Sequence, residues 1–408
     1  MIVIPGILGT ELINPKTGET VWPSAFRTSQ EGLPISPDLA SNRDDLVPGK
    51  IVETVRLARV LPEVYVYRDL LEALRHYAGY RNGDWENPPV DGYQDTYYVF
   101  AYDWRQDNVK NARELVRRLE RLKTKLGRPD LRFNVVAHSM GGLIARYAAM
   151  YGDADLPAGD GPIQPTWRGA AHINKIVMIG VPNEGSADAF ATLVEGYSIT
   201  EGLRRRVPLL NKLTKEDAVR TPSVFQLMPH PDAVKFLDEN LKPLQIDLYD
   251  PATWKQYGWG AIFSPDFRRR YGELDVYLAA TLRRARRFQQ ALDSVEGSNS
   301  PVTLLAIGGD CEETLNSPVI LRDAKQNRWL TLIKPREYRT STGVKISKKQ
   351  SIQAMYAPGD GRVTRASLLG EDISRYAIFG CDLHGQLQRN KTLQDNALTA
   401  IVNEVINQ

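Results

Sequence analysis

Cysteine is the scarcest chemistry-bearing residue in this 408-residue chain, which contains only Cys311 and Cys381. Two cysteines cannot build a disulfide framework, and no C-x-x-C pair is present for a metal or redox site. We predict that both are reduced, buried thiols, and a single disulfide between them remains the alternative.

Long apolar runs and targeting signals are missing as well. No segment approaches the roughly 18 apolar residues that a bilayer-spanning helix needs. The chain opens on Met1–Gly6, which lacks the basic residues and the long apolar run of a secretory signal. These absences predict a cytoplasmic location.

An excess of charge of one sign is also absent, since 52 Lys and Arg residues face 49 Asp and Glu residues, for a net charge of +3. So small a charge does not indicate a nucleic-acid-binding protein, and the sequence has neither zinc-finger spacing nor an aromatic-basic platform. It contains no H-E-x-x-H, no G-x-x-x-x-G-K-[ST] and no dinucleotide fingerprint, so we expect no metal and no other cofactor. Hydrophobic residues make up 42% and charged residues 25% of the chain, as in ordinary globular proteins.

Short apolar runs alternate with helical patterns over most of the chain. Leucines recur at spacings of four, three and four residues within Asn108–Leu126, which predicts an amphipathic helix, and a second helix is predicted over Gly141–Tyr151. This alternation predicts an α/β fold with a mostly parallel central sheet flanked by helices. The predicted core strands are Met1–Ile4, Asp95–Tyr102, Phe133–Ala137, Ile173–Ile179, Val302–Ile307 and Tyr376–Phe379.

Two regions interrupt this rhythm within what we predict to be a single domain over 1–408. Asn14–Pro62 is rich in Pro, Gly, Ser and Asp and is predicted to be an irregular excursion. Residues 186–300 are far longer than one crossover between strands requires, which predicts a cap or lid insertion. Its basic and aromatic residues predict transient contact with an anionic membrane surface, and a solvated helix face is the alternative. The basic clusters of this insertion are Arg204–Arg206, Arg268–Arg270 and Arg283–Phe288.

The sharpest chemical signal lies in Asn134–Gly142 (NVVAHSMGG). A buried strand enters a small-x-Ser-x-Gly turn and a helix follows, which is the setting of a nucleophile elbow. Ser139 is therefore the predicted nucleophile, with Gly141 after it and Ala137 in place of the usual first glycine. An ordinary Ser-Gly turn is the alternative, but the strand context, His138 and the double glycine favour the catalytic interpretation.

A serine nucleophile needs an adjacent imidazole to accept its proton. In this setting the order along the chain is serine, acid, histidine, so we expect the base to follow Ser139. His384 lies in the loop after the last predicted core strand and is the predicted base. The other histidines lie too early, beside the nucleophile, before a core strand or between two prolines; they are His76, His138, His172 and His230.

The acid that would orient His384 has two candidates. Asp360 lies in Gly359–Val363 (GDGRV), where flanking glycines let a carboxylate reach the imidazole. Asp310 directly follows a predicted core strand and is the alternative. We favour Asp360. The alternative is that Gly359–Val363 is an ordinary glycine turn without a catalytic role.

An oxyanion hole needs two backbone N–H donors. We expect one from Met140, directly after the nucleophile. We expect the other from Pro5–Gly9 (PGILG), because its two glycines permit a tight loop with exposed amides. Ile7 is the first choice for this donor and Leu8 the second.

Six segments occur in a fixed order over nearly the whole chain: Pro5–Leu12, Ala101–Arg105, His138–Gly142, Gly180–Ser186, Phe225–Pro229 and Gly359–Val363. In this order they resemble the lecithin:cholesterol acyltransferase family of α/β-hydrolases, which also includes phospholipid and diacylglycerol acyltransferases and a lysosomal-type phospholipase. The Tyr-Asp-Trp-Arg part of Ala101–Arg105 is the most distinctive piece.

The resemblance implies an α/β-hydrolase fold and acyl-enzyme chemistry on a lipid ester, and it assigns Asp360 and His384 to the triad of Ser139. It places Ile7 in the oxyanion-hole loop, where animal members carry a polar residue. The cysteine-paired lid of the secreted animal enzymes has no counterpart here, so a sterol acceptor is not implied.

The predicted function is cleavage of lipid acyl esters through an acyl-enzyme on Ser139. The acyl group then passes to water, as in a lipase, phospholipase or esterase, or to an alcohol, as in an O-acyltransferase. A catalytically silent scaffold that binds lipid or protein is the alternative from another class of function.

Overall fold

The computed structural model describes residues 1–23, 33, 46–56, 63–89, 95–198, 212–231, 233, 235–293, 300–323, 327–370 and 376–402. The basic cluster Arg204–Arg206 and part of Asn14–Pro62 lie outside these residues. Among the helices of these ranges, none is both long enough and apolar enough to cross a membrane.

The secondary structure alternates strands and helices over most of the chain. The strands are β1 (Ile2–Ile4), β2 (Thr10–Ile13), β3 (Thr20–Trp22), β4 (Val47–Ile51), β5 (Thr54–Arg56), β6 (Glu63–Tyr65), β7 (Arg81–Asn82), β8 (Thr96–Val99), β9 (Phe133–His138), β10 (Ile173–Ile179), β11 (Tyr197–Ser198), β12 (Lys212–Leu213), β13 (Phe236–Leu237), β14 (Pro243–Leu244), β15 (Thr303–Gly309), β16 (Glu312–Leu315), β17 (Val319–Asp323), β18 (Arg328–Leu332), β19 (Tyr338–Arg339), β20 (Lys345–Ile346), β21 (Tyr356–Gly359) and β22 (Tyr376–Gly380). The α-helices are α1 (Arg68–His76), α2 (Asn108–Lys125), α3 (Met140–Tyr151), α4 (Ala187–Glu195), α5 (Lys215–Ala218), α6 (Pro222–Gln226), α7 (Pro251–Tyr257), α8 (Pro265–Tyr271), α9 (Asp275–Asp293), α10 (Lys348–Met355), α11 (Arg365–Leu369) and α12 (Lys391–Val402). Short 3-10 helices cover Arg168–Ala171, Ala261–Phe263 and His384–Arg389.

Seven strands form the central sheet, in the order β7-β8-β1-β9-β10-β15-β22. Every neighbouring pair in this sheet is parallel. Six of the seven are the predicted core strands, so the predicted α/β fold is confirmed. The seventh, β7, has only two residues, which is too short for an apolar pattern to reveal it.

Helices cover both faces of this sheet, because successive side chains of a strand point to opposite sides. In β10, Ile176 and Met178 join the hydrophobic cluster that contains residues of α2, α3 and α9. Val177 and Ile179 join a second cluster with residues of α1 and α12. The continuous apolar runs in the sequence follow from this burial on two sides.

The described part of Asn14–Pro62 is more regular than predicted. The excursion contributes two strands to a small antiparallel sheet in the order β3-β2-β4, and a second pair joins β5 to β6. Trp22 explains the attachment of this sheet, because its side chain is buried, packs edge-on to Trp104 at 5.6 Å and donates to the carbonyl of Leu8 at 2.9 Å. Strands of three to five residues carry too little periodicity to be read from the sequence.

The described part of residues 186–300 packs on the central fold. Its large aromatic side chains Phe190, Trp254, Trp259 and Phe288 belong to the same hydrophobic cluster as the sheet. Charged contacts add to this packing, since Arg284 on α9 donates to both Asp107 and Asp155 outside the insertion. These residues are therefore fixed to the rest of the fold by both apolar packing and ion pairs.

Cys311 and Cys381 form a disulfide, so the prediction of two reduced, buried thiols is wrong and its alternative is correct. Both residues are exposed. They follow the adjacent strands β15 and β22, whose last residues Gly309 and Gly380 are in register, and this brings the two Cα atoms to 5.1 Å. Disulfides are uncommon in cytosolic proteins, so this bond does not support the predicted cytoplasmic location. The location stays a prediction.

Removing this disulfide with the double variant Cys311→Ser, Cys381→Ser is expected to destabilise the protein. The crosslink spans a separation of 70 residues, so it limits the conformations of the unfolded chain. This contributes about 2–4 kcal/mol to the free energy of unfolding. Urea unfolding measures the difference in the free energy of unfolding, and wild type with a reducing agent is expected to match the double variant. Identical unfolding curves for wild type and variant would contradict the prediction.

Candidate active site

Ser139 lies on the sharp turn between β9 and α3, at the carboxyl end of the central sheet. Its backbone angles are φ +53° and ψ −129°, a region that residues other than glycine rarely adopt. The turn pushes the serine out of the line of the strand, as the small-x-Ser-x-Gly pattern predicts. The side chain is largely buried but lines a pocket.

Glycine at position 141 is explained by close packing of the turn against β1. A Cβ atom there would lie 2.5 Å from the carbonyl oxygen of Pro5 and 2.7 Å from that of Ile4. Ala137 is fully buried, and its methyl group is accommodated in the core where a glycine is more usual. The alanine at position 137, which departs from the usual elbow pattern, is therefore compatible with the packing of the turn.

The structure brings Ser139, His384 and Asp360 together although 245 residues separate the serine from the histidine. His384 Nε2 lies 2.9 Å from Ser139 Oγ, and His384 Nδ1 lies 2.8 Å from Asp360 Oδ2. An ionised carboxylate only accepts hydrogen bonds, so Nδ1 carries the proton and Nε2 presents a lone pair to the serine hydroxyl. This is the tautomer that a general base requires.

The Asp360 carboxylate is fixed by its own loop. Its Oδ1 atom accepts hydrogen bonds from the backbone N–H groups of Arg362 at 2.9 Å and Val363 at 2.7 Å. The backbone N–H of His384 donates to the Asp360 carbonyl at 2.8 Å. The Arg362 guanidinium also donates to both carboxylate oxygens of Asp188 on α4 at 2.8 Å, which ties this loop to the insertion.

Asp310 lies at the end of β15, where the sequence placed it, but its carboxylate has other partners. Its Oδ2 atom is 3.5 Å from a guanidinium nitrogen of Arg365, and its Oδ1 atom lies 3.6 Å from the disulfide sulfur of Cys311, which has no proton to donate. The carboxylate that contacts His384 is that of Asp360. The geometry therefore favours Asp360 over Asp310 as the partner of the histidine.

The Pro5–Gly9 loop lies against Ser139, as expected for an oxyanion hole. A Cβ atom at Gly6 would come within 2.8 Å of the Ser139 Cβ, so only glycine permits this approach. Within the loop, the N–H of Gly6 donates to Tyr67 and the N–H of Gly9 donates back to the Gly6 carbonyl. In the described part of the chain the N–H groups of Ile7 and Leu8 have no partner, so both remain candidate donors.

Met140 is the first residue of α3, so its N–H points out of the helix without an intrahelical acceptor. The positive end of the helix dipole adds to the favourable field at this point. Met140 directly follows the nucleophile, and Ile7 lines the same pocket as Ser139. Their role as oxyanion donors stays a prediction.

His138, which sequence reasoning set aside, is part of the site. Its Nδ1 atom lies 2.7 Å from the Tyr67 hydroxyl, and its Nε2 atom lies 3.2 Å from the backbone oxygen of His384. Burial of the ring and, to a lesser extent, the nearby charge of His384 lower the pKa of His138 from 6.5 to about 3. His138 is therefore neutral in the folded protein at physiological pH.

Acid is expected to destabilise the protein through His138. The unfolded chain protonates this residue below its usual pKa of 6.5, whereas the folded protein does so only near pH 3, so stability falls as the pH drops between these values. Urea midpoints measured from pH 7 to pH 4 are expected to fall less steeply in His138→Gln than in wild type. Parallel curves for the two proteins would contradict this assignment.

The Ala101–Arg105 segment, the most distinctive part of the family resemblance, has a structural role. Arg105 is fully buried, and its Nε and Nη2 atoms donate to the two carboxylate oxygens of Asp103 at 2.9 and 2.8 Å. The Trp104 indole donates to the Thr10 carbonyl at 3.1 Å. The segment therefore anchors the chain after β8 to β2, beside the Pro5–Gly9 loop.

The serine and the histidine both line a pocket. Most of its lining side chains are apolar, and several come from residues 186–300. The lining residues are Ile7, Leu8, Ser139, Pro182, Ser186, Asp188, Ala189, Thr192, Leu213, Val224, Leu227, Arg362, Val363 and His384. A mostly apolar lining with a few polar side chains is typical of binding sites for small ligands.

Among known proteins, the model of the lecithin:cholesterol acyltransferase family matches residues 86–283. The match includes the Tyr-Asp-Trp-Arg segment and the nucleophile elbow and extends through most of the insertion, so the predicted resemblance is confirmed. No curated protein matches the chain in sequence.

Solved structures support the fold. A chain of the Tle4–Tli4 complex superposes with a TM-score of 0.60 at 14% identity, covering 98% of this chain and 97% of that chain. EstA from Clostridium botulinum gives a TM-score of 0.36 at 13% identity, with 98% and 85% covered. Phospholipase PlaB from Legionella pneumophila gives 0.25 at 18% identity, with 41% and 30% covered. The last two scores are too low to carry an argument. The sheet, the elbow and the first of these structures show an α/β-hydrolase fold, and over residues 86–283 the chain is similar to the lecithin:cholesterol acyltransferase family.

Proposed function

We propose that the protein cleaves lipid acyl esters, with Ser139, His384 and Asp360 as its catalytic triad. The observation that carries the proposal is the continuous hydrogen-bonded chain from Ser139 Oγ through the imidazole to a buried carboxylate. Ser139 and His384 line a largely apolar pocket. A structural role alone does not account for a strained serine, a buried acid and a bridging histidine in one cluster.

The first half of the reaction forms an acyl-enzyme. Ser139 Oγ attacks the ester carbonyl carbon while its proton moves to His384 Nε2. The negative charge that develops on the carbonyl oxygen accepts hydrogen bonds from the N–H groups of Met140 and Ile7. Asp360 stabilises the imidazolium, which then gives its proton to the leaving alkoxide as the ester C–O bond breaks.

The second half releases the acyl group. His384 takes a proton from water or from an alcohol, whose oxygen attacks the acyl-enzyme carbonyl. The tetrahedral intermediate collapses, and His384 returns its proton to Ser139 Oγ. Water as acceptor gives a carboxylic acid, and an alcohol as acceptor gives a new ester.

A lipid acyl chain is the substrate class that the pocket and the family match both favour. The matched family takes its name from an acyltransferase of lipids. In the pocket, the side chains of Ala189, Leu213, Val224 and Leu227 come from residues 186–300, which supports the proposal that this insertion is a cap over the acyl chain. Burial of each additional methylene in such a lining contributes about 0.8 kcal/mol.

Leu227→Trp tests where the acyl chain lies. Filling the pocket with the larger ring is expected to lower kcat/KM for long-chain nitrophenyl esters by about 10-fold or more, while short-chain esters are affected less. A chain-length series of nitrophenyl esters measures the change, with Ser139→Ala as the blank. An equal loss for every chain length would contradict this placement.

Long-chain alcohols added to the same assay separate the two acceptors. Formation of a new ester at the expense of free acid indicates transfer, and its absence indicates hydrolysis. The alternative function, a silent lipid- or protein-binding scaffold, predicts that Ser139 does not react with a fluorophosphonate probe. Labelling that Ser139→Ala abolishes would exclude the scaffold.

Contact with an anionic membrane surface stays a prediction. The side chains of Arg283–Phe288 that would bind the membrane are partly occupied by partners within the protein. Arg286 pairs with Asp247 and Arg284 with Asp107, while Phe288 is fully buried. Two of the four arginines and the aromatic ring of this segment are therefore engaged within the fold, as the alternative of an ordinary helix face implies.

A further inference from the structure

Three groups beside the proposed triad are joined by hydrogen bonds that no step of the reaction uses directly. The Gly6 N–H donates to the Tyr67 hydroxyl oxygen at 2.8 Å, and this hydroxyl lies 2.7 Å from His138 Nδ1. His138 Nε2 lies 3.2 Å from the backbone oxygen of His384. Tyr67 and His138 are both buried, so the chain of contacts is shielded from water.

The direction of these hydrogen bonds follows from the groups themselves. The Tyr67 oxygen accepts from Gly6, so its own O–H is available to donate to His138 Nδ1. The remaining proton of neutral His138 is then on Nε2, where it donates to the carbonyl of His384. Every donor in the series meets an acceptor, which fixes one tautomer of His138.

We propose that Tyr67 and His138 are positioning residues that couple the Pro5–Gly9 loop to His384. The inference rests on the proposed function, because it concerns the oxyanion donor and the base of that reaction. We call the hydrogen-bonded series from Gly6 through Tyr67 and His138 to the His384 carbonyl the relay. Through Gly6, the relay sets the position of the adjacent Ile7 amide against Ser139. Through the His384 carbonyl, it sets the backbone from which the imidazole projects.

The neutrality of His138 is part of this arrangement. Its ring centroid lies only 4.9 Å from that of His384, so a charged His138 would oppose the imidazolium that forms at His384 during the reaction. Burial and the nearby His384 lower the pKa of His138 to about 3, which prevents this repulsion. A neutral group that still donates and accepts is what the position requires.

Tyr67→Phe tests the relay by removing one hydroxyl and keeping the ring. Turnover per active site, titrated with a nitrophenyl ester burst, is expected to fall between about 10- and 100-fold because the oxyanion donor is displaced. KM is expected to change by less than about three-fold, since substrate binding is little affected. Affinity for an alkylboronic acid, a tetrahedral transition-state mimic on serine, is expected to fall with kcat/KM.

Tyr151→Phe is the matched control. The Tyr151 hydroxyl also donates from a buried ring to a backbone carbonyl, that of Ala291 at 2.8 Å, but it lies at the far end of α3. This variant is expected to lose stability without a change in turnover per titrated site or in boronate affinity. The comparison separates a lost buried hydrogen bond from a displaced catalytic group.

A second pair of variants keeps the test decisive if Tyr67→Phe folds poorly. His138→Gln retains an acceptor for Tyr67 and a donor for the His384 carbonyl, so it is expected to keep at least about 10-fold more turnover per site than His138→Leu. Combining Tyr67→Phe with His138→Leu is expected to cost less than the sum of the two single effects.

Two results would overturn the proposal. One is a Tyr67→Phe enzyme with wild-type turnover per site and wild-type boronate affinity, and the other is equal turnover of His138→Gln and His138→Leu. Failure of the proposed function gives a different result, namely no ester turnover in wild type or full turnover in Ser139→Ala. If wild type cleaves the ester and Tyr67→Phe cleaves it equally fast, only the proposal about Tyr67 and His138 fails, and the proposed function stands.

Discussion

Ser139→Ala is expected to lower kcat for ester cleavage by about a million-fold, to a residual rate that still exceeds the reaction in water. Without the Oγ atom no acyl-enzyme forms, while the pocket and the backbone N–H groups near the site are unchanged. KM for a long-chain ester is therefore expected to change little. Initial rates with nitrophenyl esters, under conditions that exclude contaminating wild-type enzyme, measure the loss.

The stability of this variant is the control. Ser139 adopts a φ of +53°, and alanine is as strained there as serine, so the free energy of unfolding is expected to stay within about 1 kcal/mol of wild type. The combination of Ser139→Ala with His384→Ala is expected to be no slower than either single variant, because the two act as one unit. Activity of Ser139→Ala near the wild-type rate would contradict the assignment of the nucleophile.

Asp360→Asn is expected to lower kcat by about 10⁴-fold. An amide in place of the carboxylate offers a donor to His384 Nδ1, which favours the tautomer with the proton on Nε2, and a base in that form cannot accept the serine proton. The neutral amide also fails to stabilise the imidazolium. The pH dependence of kcat/KM and the rate of inactivation by a fluorophosphonate both report this loss.

Asp310→Asn is the matched control for this experiment. Asp310 lies on the same side of the sheet, next to the Cys311–Cys381 disulfide, but its carboxylate faces Arg365 rather than His384. Its replacement is expected to change turnover by less than about three-fold, as for a surface ion pair. The reverse result, with Asp310→Asn inactive and Asp360→Asn active, would assign the role of the acid to Asp310.

The sheet and the proposed triad could be largely predicted because their signals are local. The runs at β1, β8, β9, β10, β15 and β22 are apolar on both faces, and such runs need no knowledge of their partners. The elbow is a local pattern too, since the small residues around Ser139 are imposed by its own turn. His384 followed from elimination, because the chain has only five histidines.

Long-range neighbours could not be predicted, because adjacency in space depends on the register of the sheet. The pairing of β15 with β22 brings Cys311 to Cys381, and two cysteines 70 residues apart carry no sign of this. The contact of Tyr67 with His138 is similar, since Tyr67 precedes α1 and has no motif around it. His138 was set aside for its place beside the nucleophile, yet its ring turns toward Tyr67 and the His384 backbone.

The most direct test of the account is the site of acylation. Wild-type protein quenched in acid during turnover of a long-chain nitrophenyl ester, then digested with trypsin, yields the peptide Phe133–Arg146, in which Ser139 is the only hydroxyl-bearing residue. The account predicts that this peptide gains the mass of the acyl group and that the gain is absent from Ser139→Ala. An acyl group on another peptide, or ester turnover that leaves this peptide unmodified in every quenched sample and persists in Ser139→Ala, would contradict it.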